Sequence, residues 1–141
     1  ILIQQRAMGK YHTPGLWANT CCTHPDWGED PKTCAVRRLN QELGITGLMP
    51  RHCGQVEYRA DVGGGLIEHE VVVVYLAQTQ LDLKLDPNPA EVMATRWIEH
   101  DQLTKDVSNE PSHFTPWLQI YLAKHSDMIF GNATAGQTTQ E

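Results

Sequence analysis

Three consecutive glycines, Gly63-Gly64-Gly65, separate two segments whose composition favours β-strands. Residues 55–60 precede the glycines, and the valine-rich residues 66–77 follow them. Valine favours extended structure, and glycine tolerates the positive φ angles of a tight reversal. The pattern therefore predicts a β-hairpin. The valines at positions 71–74 further predict that this part of the second strand is buried on both faces.

A helix signal begins at Asp30-Pro31. Aspartate is a favourable N-cap residue, and proline is favourable at the first helical position. Apolar residues then recur at helical spacing: Cys34, Ala35, Val36, Leu39 and Leu43. The pattern stops at Gly44, a residue type that commonly ends helices. It predicts a helix that begins after Asp30 and ends at Gly44.

The remaining segments predict further strands and helices. We expect strands at residues 1–5 and 95–99, an extended segment at 16–22, a helical turn at 101–105 and a last helix after Thr115-Pro116. Because these elements do not alternate in regular βαβ units, the expected fold class is α+β, with α/β/α layers and a mixed β-sheet flanked by helices. We expect this domain to cover residues 1–126, and residues 127–141, poor in apolar side chains, to form a disordered tail.

Composition narrows the class of partner. A chain of 141 residues, 40% of them hydrophobic, can bury the core of one domain. Its net charge of −6 argues against nucleic-acid and anionic-membrane surfaces, which need clustered cations. The apolar run at residues 71–77 is far shorter than the roughly 20 residues that span a bilayer. We therefore expect a cytoplasmic protein that binds a small molecule and neither nucleic acid nor a membrane.

The cysteines and the first residues carry two further expectations. Cys21 and Cys22 are adjacent and no export signal is present, so reduced thiols are expected and a thiolate is available for chemistry. The chain opens on the apolar residues Ile1-Leu2-Ile3, without an initiator methionine or a capping residue. We expect it to lack the N-terminal portion of its domain.

Glu68 and Glu70 lie two residues apart on a predicted strand, so their side chains share one face. Two adjacent carboxylates are costly unless they are solvated or bind a cation, so the alternative is an exposed polar face. Cys22 and His24 share a face in the same way if their segment is extended. A histidine beside carboxylates favours magnesium or manganese over zinc. The competing use is a structural zinc site built from Cys22, His24, Cys34, His52 and Cys53.

Arg38 and Glu42 are four residues apart on the predicted helix, where a surface ion pair is the usual explanation. A second interpretation is an anion site. In it, Arg6, Lys10 and Arg38 converge on a diphosphate, and Glu42 recruits a divalent cation.

Glu29 together with residues 37–45, Arg-Arg-Leu-Asn-Gln-Glu-Leu-Gly-Ile, resembles a degenerate Nudix box. Hydrolytic Nudix members carry Arg-Glu and Glu-Glu where this chain has Arg37-Arg38 and Gln41-Glu42. They also carry glycine in place of Thr23. The missing acidic residues weaken the metal site that hydrolysis uses. The resemblance implies a Nudix-like sheet and helices, but argues against phosphohydrolase activity.

The altered box is similar to that of type I isopentenyl-diphosphate isomerases, and the resemblance extends over roughly residues 1–124. Five further motifs carry it: Gln5-Arg6-Ala7, the segment Trp-Ala-Asn-Thr-Cys-Cys-Thr-His-Pro at 17–25, Tyr58-Arg59-Ala60, Glu68-His69-Glu70-Val71 and Thr115-Pro116-Trp117. The resemblance implies an enzyme of isoprenoid biosynthesis. Its expected reaction interconverts isopentenyl diphosphate and dimethylallyl diphosphate by proton transfer through a tertiary carbocation-like state.

The same resemblance implies roles for individual residues. It implies that Cys22 and Glu70 transfer the protons and that Tyr58 assists this transfer. It also implies that Trp117 offers an aromatic face to the carbocation; the alternative role for Trp117 is core packing. It implies four ligands for Mg²⁺ or Mn²⁺: His24, Glu42, Glu68 and Glu70. It also implies three cations that bind the substrate diphosphate: Arg6, Lys10 and Arg38. Two further metal-binding histidines and one basic residue of the family precede the position of Ile1.

Two alternatives to the isomerase stay open. One is a Nudix hydrolase acting on a nucleoside diphosphate derivative, which shares the fold and the magnesium requirement. The other is a catalytically impaired fragment that binds metal or diphosphate.

Overall fold

A computed structural model of the protein describes residues 1–134, which form five strands, four α-helices and one 3₁₀ turn. In chain order these are β1 (Leu2–Arg6), β2 (Trp17–Ala18), α1 (Pro31–Leu43), β3 (Arg51–Gly63), β4 (Leu66–Leu76), β5 (Val92–Trp97), α2 (His100–Asn109), the 3₁₀ turn (Pro111–His113), α3 (Pro116–Lys124) and α4 (Ser126–Thr134). The α+β prediction is confirmed.

The described strands form two sheets. The first has the order β2-β1-β5, with both neighbours antiparallel to β1. The second is the two-stranded antiparallel pair β3-β4. A single parallel bridge, between Trp17 and Phe114, joins β2 to the residue after the 3₁₀ turn. The strands come from distant parts of the chain, so their order could not be inferred from composition.

The predicted hairpin is confirmed: its first strand, Arg51–Gly63, is longer than the predicted 55–60, and its second, Leu66–Leu76, ends one residue before the predicted 66–77. Gly63, Gly64 and Gly65 adopt φ angles of 88°, 63° and 76°, which is the left-handed conformation that glycine accepts most readily. The register places Tyr58 opposite Glu70, and Ala60 opposite Glu68. Because residues that face each other across a hairpin project to the same side, one face carries Tyr58 and both glutamates.

The prediction that residues 71–74 are buried on both faces is wrong. Val71 is 64% exposed, and it shares the outward face of β4 with the exposed Ile67 and His69. Val72 and Val74 face the other way and pack on the core. Only one face of this strand therefore packs on the core, while Ile67, His69 and Val71 on the other face are exposed.

Helix α1 begins and ends as predicted. The side chain of Asp30 accepts a hydrogen bond from the Thr33 N–H at 3.2 Å. Gly44 has a left-handed φ of 66°, and its N–H donates to the Asn40 carbonyl at 2.9 Å. These caps satisfy backbone groups that the helix ends would otherwise leave unpaired. They fix the orientation of Arg38 and Glu42 on the helix.

Three other boundaries differ from the predictions. Within the predicted extended segment 16–22, only Trp17–Ala18 pair as a strand. Strand β5 spans Val92–Trp97, because its partner β1 reaches back to residue 92. Helix α2 extends to Asn109 and buries Leu103 completely. Among the described residues, no helix is long and apolar enough to cross a membrane.

Residues 126–134 form a helix, although residues 127–141 were predicted to be a disordered tail. Ile129 is only 5% exposed, and Met128 and Phe130 pack against the same cluster. The burial of these three apolar side chains stabilises the helix, although the segment as a whole is poor in apolar residues. The rest of the predicted tail, residues 135–141, lies outside the described residues.

One of the three core clusters joins the hairpin to the C-terminal helices. Its buried members include Val56 and Tyr58 of β3, Trp117 and Tyr121 of α3, and Ile129 of α4. Cys22 packs against its margin. This cluster brings segments from three parts of the chain to the face of the hairpin that carries the two glutamates.

Candidate active site

The hairpin face places two carboxylates next to each other. The Tyr58 hydroxyl donates a hydrogen bond of 2.6 Å to Oε1 of Glu68. Oε1 of Glu70 lies 2.6 Å from Nε2 of His24, which comes from the loop before α1. His69 projects to the other face, where it pairs with Glu57 at 3.0 Å. The strand periodicity therefore separated the site-facing residues from the solvent-facing residue correctly.

Cys22 is half-buried beside this pair of carboxylates. Burial first, and then the negative charges of Glu70 and Glu68, raise the pKa of the Cys22 thiol to about 12. Burial also raises the pKa of Glu70; Glu68 adds to that effect and His24 opposes it. Cys22 is therefore a thiol rather than the thiolate expected from the sequence, and the carboxyl group of Glu70 holds a proton more readily than an ordinary glutamate does. Two neighbouring groups that can carry a proton suit general acid and base chemistry.

Trp117 lies in the core below these groups and is 1% exposed. Its indole N–H donates to Oδ1 of Asn19 at 3.0 Å, which satisfies the ring's polar atom. The guanidinium carbon of Arg6 lies 5.3 Å from the ring centroid, within cation–π range. His12 contacts the ring edge-to-face, with the two ring centroids 5.8 Å apart. Trp117 is thus a core residue that also meets a cation.

The three predicted diphosphate-binding cations lie on two segments, Arg6 and Lys10 near the end of β1 and Arg38 on α1. Nη2 of Arg38 lies 3.1 Å from Oε1 of Glu42 and 3.5 Å from Oε1 of Glu91. Nζ of Lys10 donates to Oε2 of Glu91. The Nε atoms of Arg6 and Arg38 are buried without hydrogen-bond partners in the described part of the chain. Buried donors of this kind need a ligand, and an anion fits them.

Glu42 is buried, 3% exposed, and belongs to the cation group rather than to the hairpin carboxylates. The Cys21 thiol donates a hydrogen bond to its Oε2. Burial, followed by the charge of Glu42 and this hydrogen bond, raises the pKa of Cys21 far above the ordinary thiol value. The two adjacent cysteines therefore face different partners, with Cys21 toward Glu42 and Cys22 toward the hairpin.

The predicted metal ligands are partly brought together. His24, Glu68 and Glu70 are neighbours, and Oε2 of Glu68 is buried without a hydrogen-bond partner in the described residues. An imidazole beside two carboxylates, with one unsatisfied oxygen, is a donor set that fits a divalent cation. Within residues 1–134, no three histidine, cysteine, aspartate or glutamate side chains are arranged to hold a metal ion by themselves.

The competing zinc set is not assembled among these residues. Cys34 is buried on α1, where Arg37 lies 3.8 Å from its sulfur. His52 and Cys53 lie at the start of β3, and His52 contacts the ring of Tyr75. Cys22, Cys34 and Cys53 are free thiols in separate places, as is Cys21.

Two residues near the site carried no usable signal in the sequence. Glu91 contacts both Lys10 and Arg38, but it is remote from them in the chain. His12 lies 3.8 Å from Oε2 of Glu68, although its position matches none of the ligands expected from the resemblance. Both approach the site only because β1 pairs with β5 and the loop after β1 lies near the hairpin. Spacing along the chain cannot show such contacts.

Comparison with known proteins identifies the fold family. Residues 1–118 match the NUDIX domain. A MutT NUDIX hydrolase from Burkholderia pseudomallei superposes with a TM-score of 0.65 at 25% identity, covering 89% of this chain and 87% of that one. A Deinococcus radiodurans structure gives a TM-score of 0.70 at 16% identity, covering 87% and 72%. The chain is a NUDIX-domain protein.

Sequence relatives define the family more narrowly. An isopentenyl-diphosphate Delta-isomerase from Cereibacter sphaeroides (strain KD131 / KCTC 12085) is 61% identical over 93% of this chain and 74% of the relative. The enzyme of the same name from Rhodobacter capsulatus is 59% identical over 96% of this chain and 77% of the relative. The chain belongs to the isopentenyl-diphosphate Delta-isomerase family and spans about three quarters of the length of these relatives.

Proposed function

We propose that the protein interconverts isopentenyl diphosphate and dimethylallyl diphosphate, a step of isoprenoid precursor biosynthesis. One observation carries the proposal: the Cys22 thiol packs at the margin of the cluster that contains Trp117, close enough to Glu70 for the carboxylate to raise the pKa of the thiol. Isomerisation needs one group that donates a proton and one that accepts a proton, and in this proposal the thiol and the carboxylate take these two roles. The name of the relatives supports the same reaction.

The proposed reaction moves a double bond by two proton transfers. One group adds a proton to the terminal alkene carbon, and the other removes a proton from C2, so the substrate gains and loses one proton and keeps its diphosphate. Cys22 and Glu70 exchange these roles in the reverse direction. An alkene is a weak base, so the acid must be held against it where water is excluded. The half-buried position of Cys22 beside the core suits this requirement.

Trp117 and Tyr58 support the charge that develops on the substrate in this proposal. The role of Trp117 rests on the resemblance, since the ring is 1% exposed and already meets Arg6; a cation over an indole ring is favoured by about 0.5–2 kcal/mol. Tyr58 holds Glu68 by a 2.6 Å hydrogen bond, so the carboxylate next to Glu70 keeps a fixed orientation. Neither residue needs to change its protonation state during turnover.

We propose that Arg6, Lys10 and Arg38 bind the diphosphate. The support is the pair of unpartnered guanidinium Nε atoms, one on Arg6 and one on Arg38, in the described residues. Arginine matches phosphate oxygens with fixed, planar donors, and lysine adds a mobile charge. The partner in this proposal is a small allylic or homoallylic diphosphate. The net charge of −6 supports our further proposal of a cytoplasmic protein without nucleic-acid or membrane partners.

We propose Mg²⁺ or Mn²⁺ as the metal, held by His24, Glu68 and Glu70, with a second ion at Glu42. The unsatisfied Oε2 of Glu68 supports the first position. A divalent ion bound there would lower the pKa of Glu70, against the effect of burial, and would supply positive charge to the diphosphate oxygens. The resemblance adds two histidines from the segment that precedes Ile1 in the family.

The test supplies isopentenyl diphosphate with MgCl₂ or MnCl₂ to the unmodified protein and to Cys22→Ala. We expect dimethylallyl diphosphate from the unmodified protein and a loss of about 10³-fold or more in the variant, because a proton-transfer group contributes factors of about 10²–10⁴. Cys53→Ala is the matched control, since that thiol lies at the far end of β3. Equal turnover by Cys22→Ala and the unmodified protein would refute the proposed role.

Nudix hydrolysis is the second candidate. It is favoured by the preserved pairing between Glu29 and Arg37, whose two hydrogen bonds of 2.8 Å hold the pKa of Glu29 at about 2. The isomerase assay separates the two activities. Formation of a nucleoside monophosphate from a nucleoside diphosphate derivative, without formation of dimethylallyl diphosphate, would support hydrolysis instead. Metal or diphosphate binding without either activity would indicate a catalytically impaired fragment.

A further inference from the structure

Glu91 is fixed at the junction of three segments. It directly precedes β5, its N–H donates to the Asn88 carbonyl at 3.0 Å, and its own carbonyl accepts from the Ala7 N–H at 3.0 Å. These backbone bonds hold Glu91 beside the end of β1. The loop after β1 carries Lys10, and α1 brings Arg38 to the same place.

The Glu91 carboxylate bridges two of the proposed diphosphate-binding cations. Oε2 accepts a hydrogen bond from Nζ of Lys10, and Oε1 lies 3.5 Å from Nη2 of Arg38. All three side chains are mostly shielded from solvent, with exposures of 24% for Lys10, 24% for Glu91 and 19% for Arg38. Ion pairs in such surroundings are screened less than pairs at the open surface.

Glu91 is ionised in this arrangement. Burial by itself would raise the pKa of the carboxyl group, but the hydrogen bond and charge of Lys10, together with Arg38, hold that pKa below its ordinary value. The bridge is therefore a negative charge between two positive charges.

The bridge leaves donors free for a ligand. An ammonium group has three N–H donors, and Glu91 takes one from Lys10. The Nε of Arg38 is buried and has no partner among the described residues. Lysine and arginine lose much side-chain conformational entropy when they bind a ligand. A residue that holds both side chains in place beforehand reduces this entropic cost of binding.

We propose that Glu91 is a positioning residue for the diphosphate subsite, which holds Lys10 and Arg38 in place before the substrate arrives. This inference rests on the proposed function, since it extends the diphosphate site described above. A carboxylate beside an anion site also repels the anion. Removal of its charge alone would therefore tighten diphosphate binding, whereas loss of positioning would weaken it. The two effects have opposite signs.

The experiment compares the unmodified protein with Glu91→Gln, which keeps the size of the side chain and removes its charge. Calorimetry gives the Kd for inorganic diphosphate in MgCl₂, and steady-state assays give KM and kcat for isopentenyl diphosphate. We expect Kd and KM to rise about tenfold, corresponding to roughly 1.4 kcal/mol of binding energy, and kcat to change by less than about twofold. Circular dichroism verifies folding, and Glu91→Asp serves as the conservative variant that restores part of the affinity.

Two controls make the result specific. Glu57→Gln removes a carboxylate from an exposed pair with His69 and is expected to leave Kd unchanged. In a Lys10→Met background, Glu91→Gln is expected to cost clearly less than tenfold, because one of the two cations it positions is already gone.

An unchanged or lower Kd in Glu91→Gln would overturn the inference, as would a fall in kcat with KM unchanged. Absence of diphosphate binding by the unmodified protein would also overturn it. The isomerase function is tested by a different result. If the protein binds diphosphate but forms no dimethylallyl diphosphate, the isomerase function is refuted. The change in Kd of Glu91→Gln still tests the role of Glu91 in that case.

Discussion

Tyr58 shows how a single hydroxyl can orient the candidate site. Its ring belongs to the core, where it is 5% exposed and lies edge-to-face with Tyr121 at 6.2 Å. Its O–H reaches Oε1 of Glu68. Burial, followed by the hydrogen bond to Glu68, raises the pKa of Tyr58 well above the ordinary phenol value. The group is therefore a hydrogen-bond donor at every pH at which the protein is assayed.

Tyr58→Phe removes that donor and leaves the ring. We expect isomerase kcat to fall about 10- to 100-fold, because a hydrogen bond to a charged group is worth roughly 1.5–3 kcal/mol and Oε1 of Glu68 would lose its 2.6 Å hydrogen bond to the hydroxyl. Tyr75→Phe, on β4 beside His52, is the matched control and should retain activity. A Tyr58→Phe variant with unchanged kcat would show that Glu68 needs no orientation by this hydroxyl.

At the residue scale, the sequence predicted contacts within one element directly, whereas contacts between elements were interpretations left open or were missed. Strand periodicity placed Glu68 and Glu70 on one face because both belong to β4. Cys22 and Trp117 come from separate segments; spacing paired Cys22 with His24, but only the resemblance to the isomerase family gave Cys22 and Trp117 roles beside the glutamates. Glu91 was missed because its partners lie on β1's loop and on α1, and the approach depends on strand pairing.

Among the elements, α1 depends on the left-handed turn that ends it. A Cβ added to Gly44 would lie 2.6 Å from Cβ of Asp86 and 2.9 Å from the Asp86 carbonyl oxygen. The Asp86 N–H in turn donates to the Leu43 carbonyl at 2.8 Å. The end of α1 and the segment before β5 are thus packed backbone against backbone, which leaves no room for a side chain.

Gly44→Ala is expected to lower the free energy of unfolding by more than the roughly 1–2 kcal/mol that a left-handed alanine costs, because the Asp86 backbone must also move. Gly47→Ala is the matched control. Its φ is 79°, but nothing lies within 4 Å of the added Cβ, so it should show the conformational cost alone. Urea denaturation of both variants measures the difference, and equal losses would contradict the packing argument.

At the element scale, the sequence correctly predicted the features that depend on hydrogen bonds between residues close in the chain. The N-cap, the N1 proline and the C-terminal glycine fixed both ends of α1, because each acts within one helical turn. The triple glycine fixed the hairpin turn. The start of β5 and the length of α2 depend instead on partners elsewhere: β5 begins where β1 ends, and the extension of α2 beyond residue 105 places Val107 against the same cluster as Leu103. These boundaries could not follow from composition.

Across the whole molecule, α4 closes the core that supports the site. Ile129 shares a cluster with Tyr58, Trp117 and Tyr121. The sulfur of Met128 approaches Gly54 so closely that a Cβ there would lie 2.7 Å from it. The last described helix is therefore part of the packing beneath the candidate active site.

Ile129→Ala is expected to reduce the free energy of unfolding by about 2–5 kcal/mol, the usual cost of removing a buried isoleucine side chain to the β-carbon. Ile67→Ala, on the outward face of β4 where the side chain is 57% exposed, should cost under about 0.5 kcal/mol. Denaturant titration compares them. Similar losses in the two variants would mean that α4 does not contribute to the core in solution.

The hairpin register has a consequence for how the length of this chain can vary. Glu68 faces Ala60 and Glu70 faces Tyr58, so one residue inserted between the turn and Glu68 would rotate both acids to the side now held by His69. A deletion there would do the same. Insertions and deletions in this hairpin are therefore compatible with the site only within the turn at Gly64, or as pairs that preserve the alternation.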